Sequence, residues 1–539
     1  MRRVGVFGWG IVAPRSPDVD AFAANLDSAQ SWLTTFNGFG PDNFLVGAPE
    51  FDFAAYRGWI DRRFPPNRFR QLEEKMDLPT LYAVGAFVQS LSQNPGIEEE
   101  LTRLGTRAHV YLGSGIGNIA TIADNALALD RAQRRWDRFW GQRNPALAAY
   151  RADARGGPGD PPPPPDPETM AEIAEEDARE EAERAWWRHW AAGSTTLHAY
   201  LTELAEIESL SVVGEVGSGK LSVLKEKQRR QAQLQKRWGA PTPPWRSVSA
   251  NLVWNIHNTP ASQVSMLGRI TGLAFAPVAA CSTFGVALKL AMDAIDRGEA
   301  DAVVVGATDP PPHPLTVGAF YNARVISTDA AVSKPLTGMR GTHVAGGSVI
   351  WIVGDLERMQ ARGFRPLGME PLAVGVSADA DHIITPSTDG PTAAIRQALA
   401  ASGVPPQALG SWDLHATATP GDYQEVATLR SLLPGTVLVT ARKGTFGHGM
   451  GAGGGWELTA QYLGYARGRL FPTPLARREL NPEIAKLHEL FVFDAAVAAP
   501  PGLAGKLSMG IGGVNSCVIS RPWPDARAAS APGAAPAGR

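Results

Sequence analysis

The chain has 539 residues, a formal charge of −2 and 44% apolar residues, enough for a large core and without the basic excess that would favour nucleic acid or anionic membranes. Its two cysteines, Cys281 and Cys517, are too few for a disulfide scaffold, and no apolar run approaches the roughly 20 residues that span a bilayer. The opening "MRRVGVFGWGIVAP" is basic and then apolar, but its glycines and Pro14 suit a buried strand and turn better than a signal peptide. A cytoplasmic protein is expected.

In chain order, "RRVGVFGWGIVAP" (2–14) and "RAHVYLGSGIGN" (107–118) each read as a strand running into a glycine turn. "ADAVVVGATD" (300–309) and "GGSVIWIVGD" (346–355) are β-branched runs bounded by turn residues, the pattern of buried strands. Between them, "STFGVALKLAMDAIDRGEA" (282–300) has a helical apolar side. From about 365 the pattern restarts. A strand is predicted around 370–377, a helix over 391–403, a short strand at 436–441, a helix from Trp456 and a last strand at 516–521. Alternating strands and helices indicate an α/β architecture built twice.

Residues 125–245 differ. A proline-rich hinge leads into acidic and mixed-charge helical sequence, then a basic helix over 220–237, and eight of the 15 tryptophans lie between 136 and 254. The segment reads as a helical insertion with apolar seams of its own. Within it, "GEVGSGKLS" (214–222) nearly reproduces the phosphate-binding pattern G-x-x-x-x-G-K-[ST]. The position that needs a magnesium-binding hydroxyl holds Leu221, and the insertion has little room for a nucleotide-binding sheet. A glycine turn between two helices is the expectation, with a nucleotide-binding regulator as the alternative. The basic helix, through Arg229 and Arg230, is a candidate docking face for an acidic partner, against the plainer reading of a solvated charged face.

"APVAACSTFGVALKL" (276–290) places Cys281 among small residues where a helix begins, so that helix-terminal amides stabilise a thiolate or an oxyanion. A nucleophilic cysteine needs partners. His415 in "DLHATATPGDYQE", and Lys443 and His448 in "ARKGTFGHGMGAGGGWE", follow short strands in small-residue loops. Strand ends of this kind are where sites form in α/β sheets.

These motifs together resemble the β-ketoacyl-acyl-carrier-protein synthases, the decarboxylating condensing enzymes of thiolase fold. "AACSTFG" is similar to the family's nucleophile motif, "HATATPGD" to H-G-T-x-T-P with Ala416 in place of glycine, "KGTFGH" to K-x-x-x-G-H, and "GIGGVN" (510–515) to the terminal G-F-G-G-T-N loop. Weaker matches are "GSGIG" (113–117), "GEADAVVVGATD" (298–309), "ARVIST" (323–328) and "SADADH" (377–382). The resemblance covers about 400 residues in the family's order, omitting the insertion and the tail.

The resemblance implies a thiolase-like fold of two similar αβαβα halves. The nucleophile half is 1–124 with 246–362, the histidine half is 363–521, 125–245 is the insertion and 522–539 a disordered tail. It implies that Cys281 accepts an acyl group from acyl-CoA or an acyl carrier protein, and that His415 and His448 hold the thioester carbonyl of malonyl-acyl-carrier protein while CO₂ leaves. Lys443 would orient the site through its charge, near Glu425, with Glu425 and Asp422 as supporting residues. The amides of Cys281 and Ile511 would form the oxyanion hole. No cofactor or metal is implied, and a homodimer is. The terminal loop lacks the second cysteine of degradative thiolases, so Cys517 reads as structural, and His448 stands where the initiating Cys-His-Asn synthases carry asparagine. Ile511 and Phe284 are expected to gate the acyl channel, which suggests short primers and an initiating step in fatty acid biosynthesis. The alternatives are a polyketide or aryl-polyene ketosynthase and a non-catalytic carrier-binding partner.

Overall fold

The computed structural model describes residues 2–40, 44–153, 164, 166, 176–210, 218–383 and 387–524. The chain divides into two compact units, Met1–Ala120 with Val253–Arg539, and Thr121–Leu252.

The first unit is organised by two five-stranded sheets. The strands of one are β1 (Val4–Val12), β2 (Ala108–Gly113), β3 (Ala274–Phe275), β4 (Ala302–Asp309) and β5 (Gly347–Asp355), in the order β1-β5-β4-β2-β3. Those of the other are β6 (Met369–Ala378), β7 (Leu409–Asp413), β8 (Leu438–Thr440), β9 (Leu503–Gly510) and β10 (Val514–Pro522), in the order β8-β7-β9-β10-β6. Renumbered from its own first strand and read from the opposite edge, the second sheet has the order of the first. The directions repeat as well. The first and last strands of each set pair antiparallel, the last pairs antiparallel with the fourth, and the fourth, second and third run parallel. The doubled pattern of the sequence is therefore a doubled topology.

Strands β1, β4 and β5 are buried at every residue, which is why their sequences are continuously apolar rather than alternating. Helix Thr283–Asp296 buries Phe284, Ala287, Leu288, Ala291 and Ile295 along one stripe. It packs on helix Met450–Ala466, whose glycine-rich start leaves room for close approach. A Cβ at Gly455 would lie 2.8 Å from the Phe284 ring and 2.4 Å from Val349. The two helices follow the third strand of each half, so the repeat brings Cys281, in one such connection, near Lys443 and His448, in the other.

The second unit contains helices Pro145–Asp153, Glu176–Ala192, Thr195–Glu208 and Ser218–Trp238 with most of Ile119–Gln142. Its core is aromatic. Trp136, Trp140 and Tyr200 pack with ring centroids 5.0–5.7 Å apart, and Trp186 and Trp190 form a second cluster with Leu147. The proline-rich hinge, apart from residues 164 and 166, and Gly214–Gly217 of the P-loop-like stretch lie outside the described residues; the chain is helical again from Ser218. Arg229 and Arg230 both pair with Glu226 on their own helix. The tail from 525 lies outside the described residues, but its expected start is corrected: Pro522 ends β10, and the Trp523 indole N–H donates to the Leu367 carbonyl at 3.1 Å.

Candidate active site

Cys281 sits in a single 3₁₀ turn, Ala280–Ser282, immediately before helix Thr283–Asp296. Ala280 has φ +47°, a left-handed conformation that costs a non-glycine residue of order 1 kcal/mol or more. Two hydroxyls hold the turn. Ser282 Oγ donates to the carbonyls of Ser508 (3.0 Å) and Val514 (2.8 Å), and Thr283 Oγ1 donates to that of Ala280 (2.7 Å). A residue without a Cβ is needed at 285, where a Cβ would meet Ser516 Oγ at 2.2 Å. The amides of Ile511 and of Cys281 itself face the sulfur and favour its thiolate, as does the Lys443 charge, but burial dominates and pushes the thiol up to about 11. At neutral pH it is protonated, with two N–H donors converging beside it.

His415 follows β7 and His448 follows the short helix Lys443–Phe446. Their rings stand 5.3 Å apart at 80°. The Met450 amide donates to His448 Nδ1 at 3.1 Å, and Lys443 Nζ lies 3.4 Å from His415 Nδ1. An amide and an ammonium can only donate, so both Nδ1 atoms accept and both ring protons reside on Nε2. Burial holds both histidines well below the usual imidazole range, and the nearby Lys443 and Lys506 charges add to it. The pair is therefore two neutral N–H donors.

The supporting carboxylates have separate tasks. Glu425 accepts the amides of His415 (2.6 Å) and Ala416 (2.7 Å), and burial raises it to about 7. Asp422 accepts the amides of Thr417 and Leu336, both at 2.8 Å. Asp309, at the end of β4, accepts the amides of Gly115 and Ile116 and the hydroxyl of Ser114, and holds the start of helix Met450–Ala466 through the Ala452 amide.

Cys281, His415, His448, Glu425, Asp422 and Ile511 line one cavity of about 900 Å³. The structure thus brings together the expected nucleophile, both histidines and the oxyanion amides. Lys443 stands at His415, whose amide Glu425 holds; its ammonium lies 2.7 Å from Glu457 Oε1 and hydrogen-bonds the His415 carbonyl. One expectation is corrected. Phe284 is not among the cavity-lining residues. Its ring is fully buried, edge-on to Trp351 at 5.1 Å, so the short-primer expectation loses the observation it was built on. Ile511, 42% exposed, stands at the cavity wall next to the sulfur. Cys517 is buried on β10.

Sequence reasoning missed Glu457 and Lys506. Glu457 is a lone carboxylate in the otherwise small and apolar run "GAGGGWELTAQ", and Lys506 a lone cation in "LAGKLSM". Each was a visible signal, because an isolated charge on a buried element needs a partner. No helix among the described residues is long and apolar enough to cross a membrane.

Residues 216–355 match the β-ketoacyl synthase N-terminal domain and 371–475 its C-terminal domain. Among curated proteins, a 3-oxoacyl-acyl-carrier-protein synthase homolog of Saccharomyces cerevisiae is 32% identical over 49% of this chain and 62% of its own length. The chloroplastic 3-oxoacyl-acyl-carrier-protein synthase I of Arabidopsis thaliana is 30% identical over 44% of this chain and 52% of its own length. A mitochondrial protein of the same named group in Schizosaccharomyces pombe is 30% identical over 50% of this chain and 67% of its own length. The chain thus spans about half to two thirds of these relatives. A β-ketoacyl synthase structure from Burkholderia phymatum superposes with a TM-score of 0.65 at 17% identity, covering 97% of this chain and all of the other. The ishigamide ketosynthase/chain length factor gives 0.65 at 19% identity, covering 97% and 99%. On these matches, with the doubled fold, the chain belongs to the β-ketoacyl synthase family.

Proposed function

We propose that this chain is a β-ketoacyl-acyl-carrier-protein synthase of fatty acid biosynthesis, condensing an acyl thioester with malonyl-acyl-carrier protein. The observation that carries the reading is the shared cavity of Cys281 with two neutral, Nε2-protonated histidines. In the first half-reaction the Cys281 sulfur attacks the acyl donor's carbonyl, the oxyanion rests on the amides of Cys281 and Ile511, and the donor thiol departs with the cysteine's proton. In the second, the malonyl thioester carbonyl accepts hydrogen bonds from His415 and His448 Nε2. The C–CO₂ bond breaks, CO₂ leaves, and the electron pair is held as an enolate between two N–H donors. Its carbon attacks the acyl-Cys281 carbonyl. That attack forms the new C–C bond; collapse of the adduct breaks the C–S bond to Cys281, releases the β-ketoacyl thioester and returns the cysteine thiolate, which takes up a proton.

In this proposal 1–124 with 246–362 supplies the nucleophile, 363–521 the histidines, and 125–245 is an added module. The partners are an acyl carrier protein and a second copy of the chain. The compartment proposed is the cytoplasm, although named relatives are chloroplastic and mitochondrial. The two half-reactions depend on different residues, and that separation is the test. Cys281→Ala should abolish condensation yet still release CO₂ from a malonyl thioester. His448→Ala should still acylate Cys281 but lose CO₂ release by about 10²-fold or more. Loss of CO₂ release in Cys281→Ala together with undiminished release in His448→Ala would contradict the assignment.

A further inference from the structure

A lysine inside a buried strand is costly unless its charge is fully partnered. Lys506 stands on β9 with its side chain 1% exposed. Its Nζ lies 2.8 Å from Glu457 Oε2 and 3.6 Å from Asp413 Oδ1. The same atom donates to the carbonyls of Leu414 at 3.2 Å and Leu507 at 2.5 Å. Glu457 Oε1 takes Lys443 at 2.7 Å, so one carboxylate bridges two ammonium groups, one on each oxygen. Asp413 is shared as well, its Oδ2 taking Arg442 Nε at 3.1 Å. The five side chains form a buried chain of alternating charge: Arg442, Asp413, Lys506, Glu457, Lys443.

That chain ends on His415. The amides of His415 and Ala416 are held by Glu425, the His415 carbonyl by Lys443 and the Leu414 carbonyl by Lys506. Four successive backbone groups around one imidazole are thus fixed by three buried ionisable side chains. We infer that Lys506 is a positioning residue for His415: it pins the peptide before the ring, and through Glu457 it holds Lys443 at the ring's Nδ1. The inference rests on the decarboxylating role proposed above for His415.

The charge of Lys506 also reaches the ring. His415 faces Lys443, Lys506 and His448, with Glu425 and Asp422 from helix Gly421–Leu432, Glu457 from helix Met450–Ala466, Asp413 at the end of β7, and the Cys281 thiol in the cavity. Burial, then Lys443, His448 and Lys506, hold its pKa down. Removing Lys506 takes away one downward push, so His415 protonates at higher pH and the acid limb of the decarboxylation profile rises.

Lys506→Met tests this. It leaves Arg442 and Lys443 facing Asp413 and Glu457, two cations against two carboxylates. The expected result is CO₂ release from a malonyl thioester reduced tenfold or more, its acid limb moved up by about half to one pH unit, and Cys281 acylation at the wild-type rate. Lys506→Arg, which keeps the charge, should return the acid limb to its wild-type position. If Lys506→Met does not fold, Lys506→Gln takes its place with the same expectations. An unmoved acid limb, or an equal loss of acylation and decarboxylation, overturns the inference. A wild-type protein that neither acylates Cys281 nor releases CO₂ instead overturns the proposed function, whatever Lys506 does.

Discussion

The chemistry depends on protonation states set by burial. His415 and His448 are both held below the usual imidazole range, so CO₂ release should stay level from pH 8 down past 6.5 and decline only in more acid solution. Stopped-flow CO₂ detection across that range checks it, and a midpoint near 6.5 would contradict it. A third histidine carries a stability counterpart. His343 accepts the Ser333 amide on Nε2 at 2.8 Å, its Nδ1 lies 3.0 Å from the Leu45 carbonyl, and its own carbonyl takes the His448 amide at 2.7 Å. Burial lowers it to about 4. Because the folded value lies below the unfolded one of about 6.5, its stabilisation is complete above 6.5 and is lost as pH falls toward about 4, a loss on the order of 3 kcal/mol. Thermal unfolding should therefore steepen with acidification over that window, and less so in His343→Gln.

Among the elements, the nucleophile turn depends on a close backbone approach. A Cβ at Gly113, the last residue of β2, would lie 1.9 Å from the Pro277 carbonyl oxygen and 2.5 Å from Thr283. Backbone cannot yield as a side-chain tip can, so Gly113→Ala should cost about 1–3 kcal/mol and slow Cys281 acylation by displacing the turn, both measurable on the purified variant. Unchanged acylation would show that the approach is slack. Such elements also show what was legible in the sequence. Cys281, His415 and His448 could be read because each follows a strand signal by a few residues in a small-residue loop. Strand β9 could not, because Gly505 and Lys506 break its apolar pattern. The reason lies elsewhere in the chain: a Cβ at Gly505 would meet the Trp412 ring at 2.2 Å, and Lys506 answers Glu457 and Asp413. The Lys443–Glu457 pair and the inward turn of Phe284 toward Trp351 are likewise long-range facts that no local pattern encodes.

At the level of the whole molecule, the repeated strand order is the main structural fact. One half supplies the thiol from the connection after its third strand. The other supplies Lys443 and His448 from the equivalent connection and His415 from the end of its second strand. The restart of the strand–helix pattern near 365 was visible in the sequence; the identity of the two strand orders was not, because β3 is too short and β9 too broken by Gly505 and Lys506 to stand out. The unit Thr121–Leu252 has its own aromatic core, so Trp140→Ala should destabilise that unit by about 3–5 kcal/mol and expose it to protease while Cys281 acylation persists. Limited proteolysis beside an acylation assay checks this, and joint loss of both would contradict it. The most direct measurement on the molecule as a whole is peptide mass spectrometry of the wild-type protein after exposure to an acyl thioester and then to malonyl-acyl-carrier protein. An acyl group should appear on Cys281 and be discharged as a β-ketoacyl thioester with one CO₂ released; an acyl group on Cys517, or none on either cysteine, would contradict the assignment of the site.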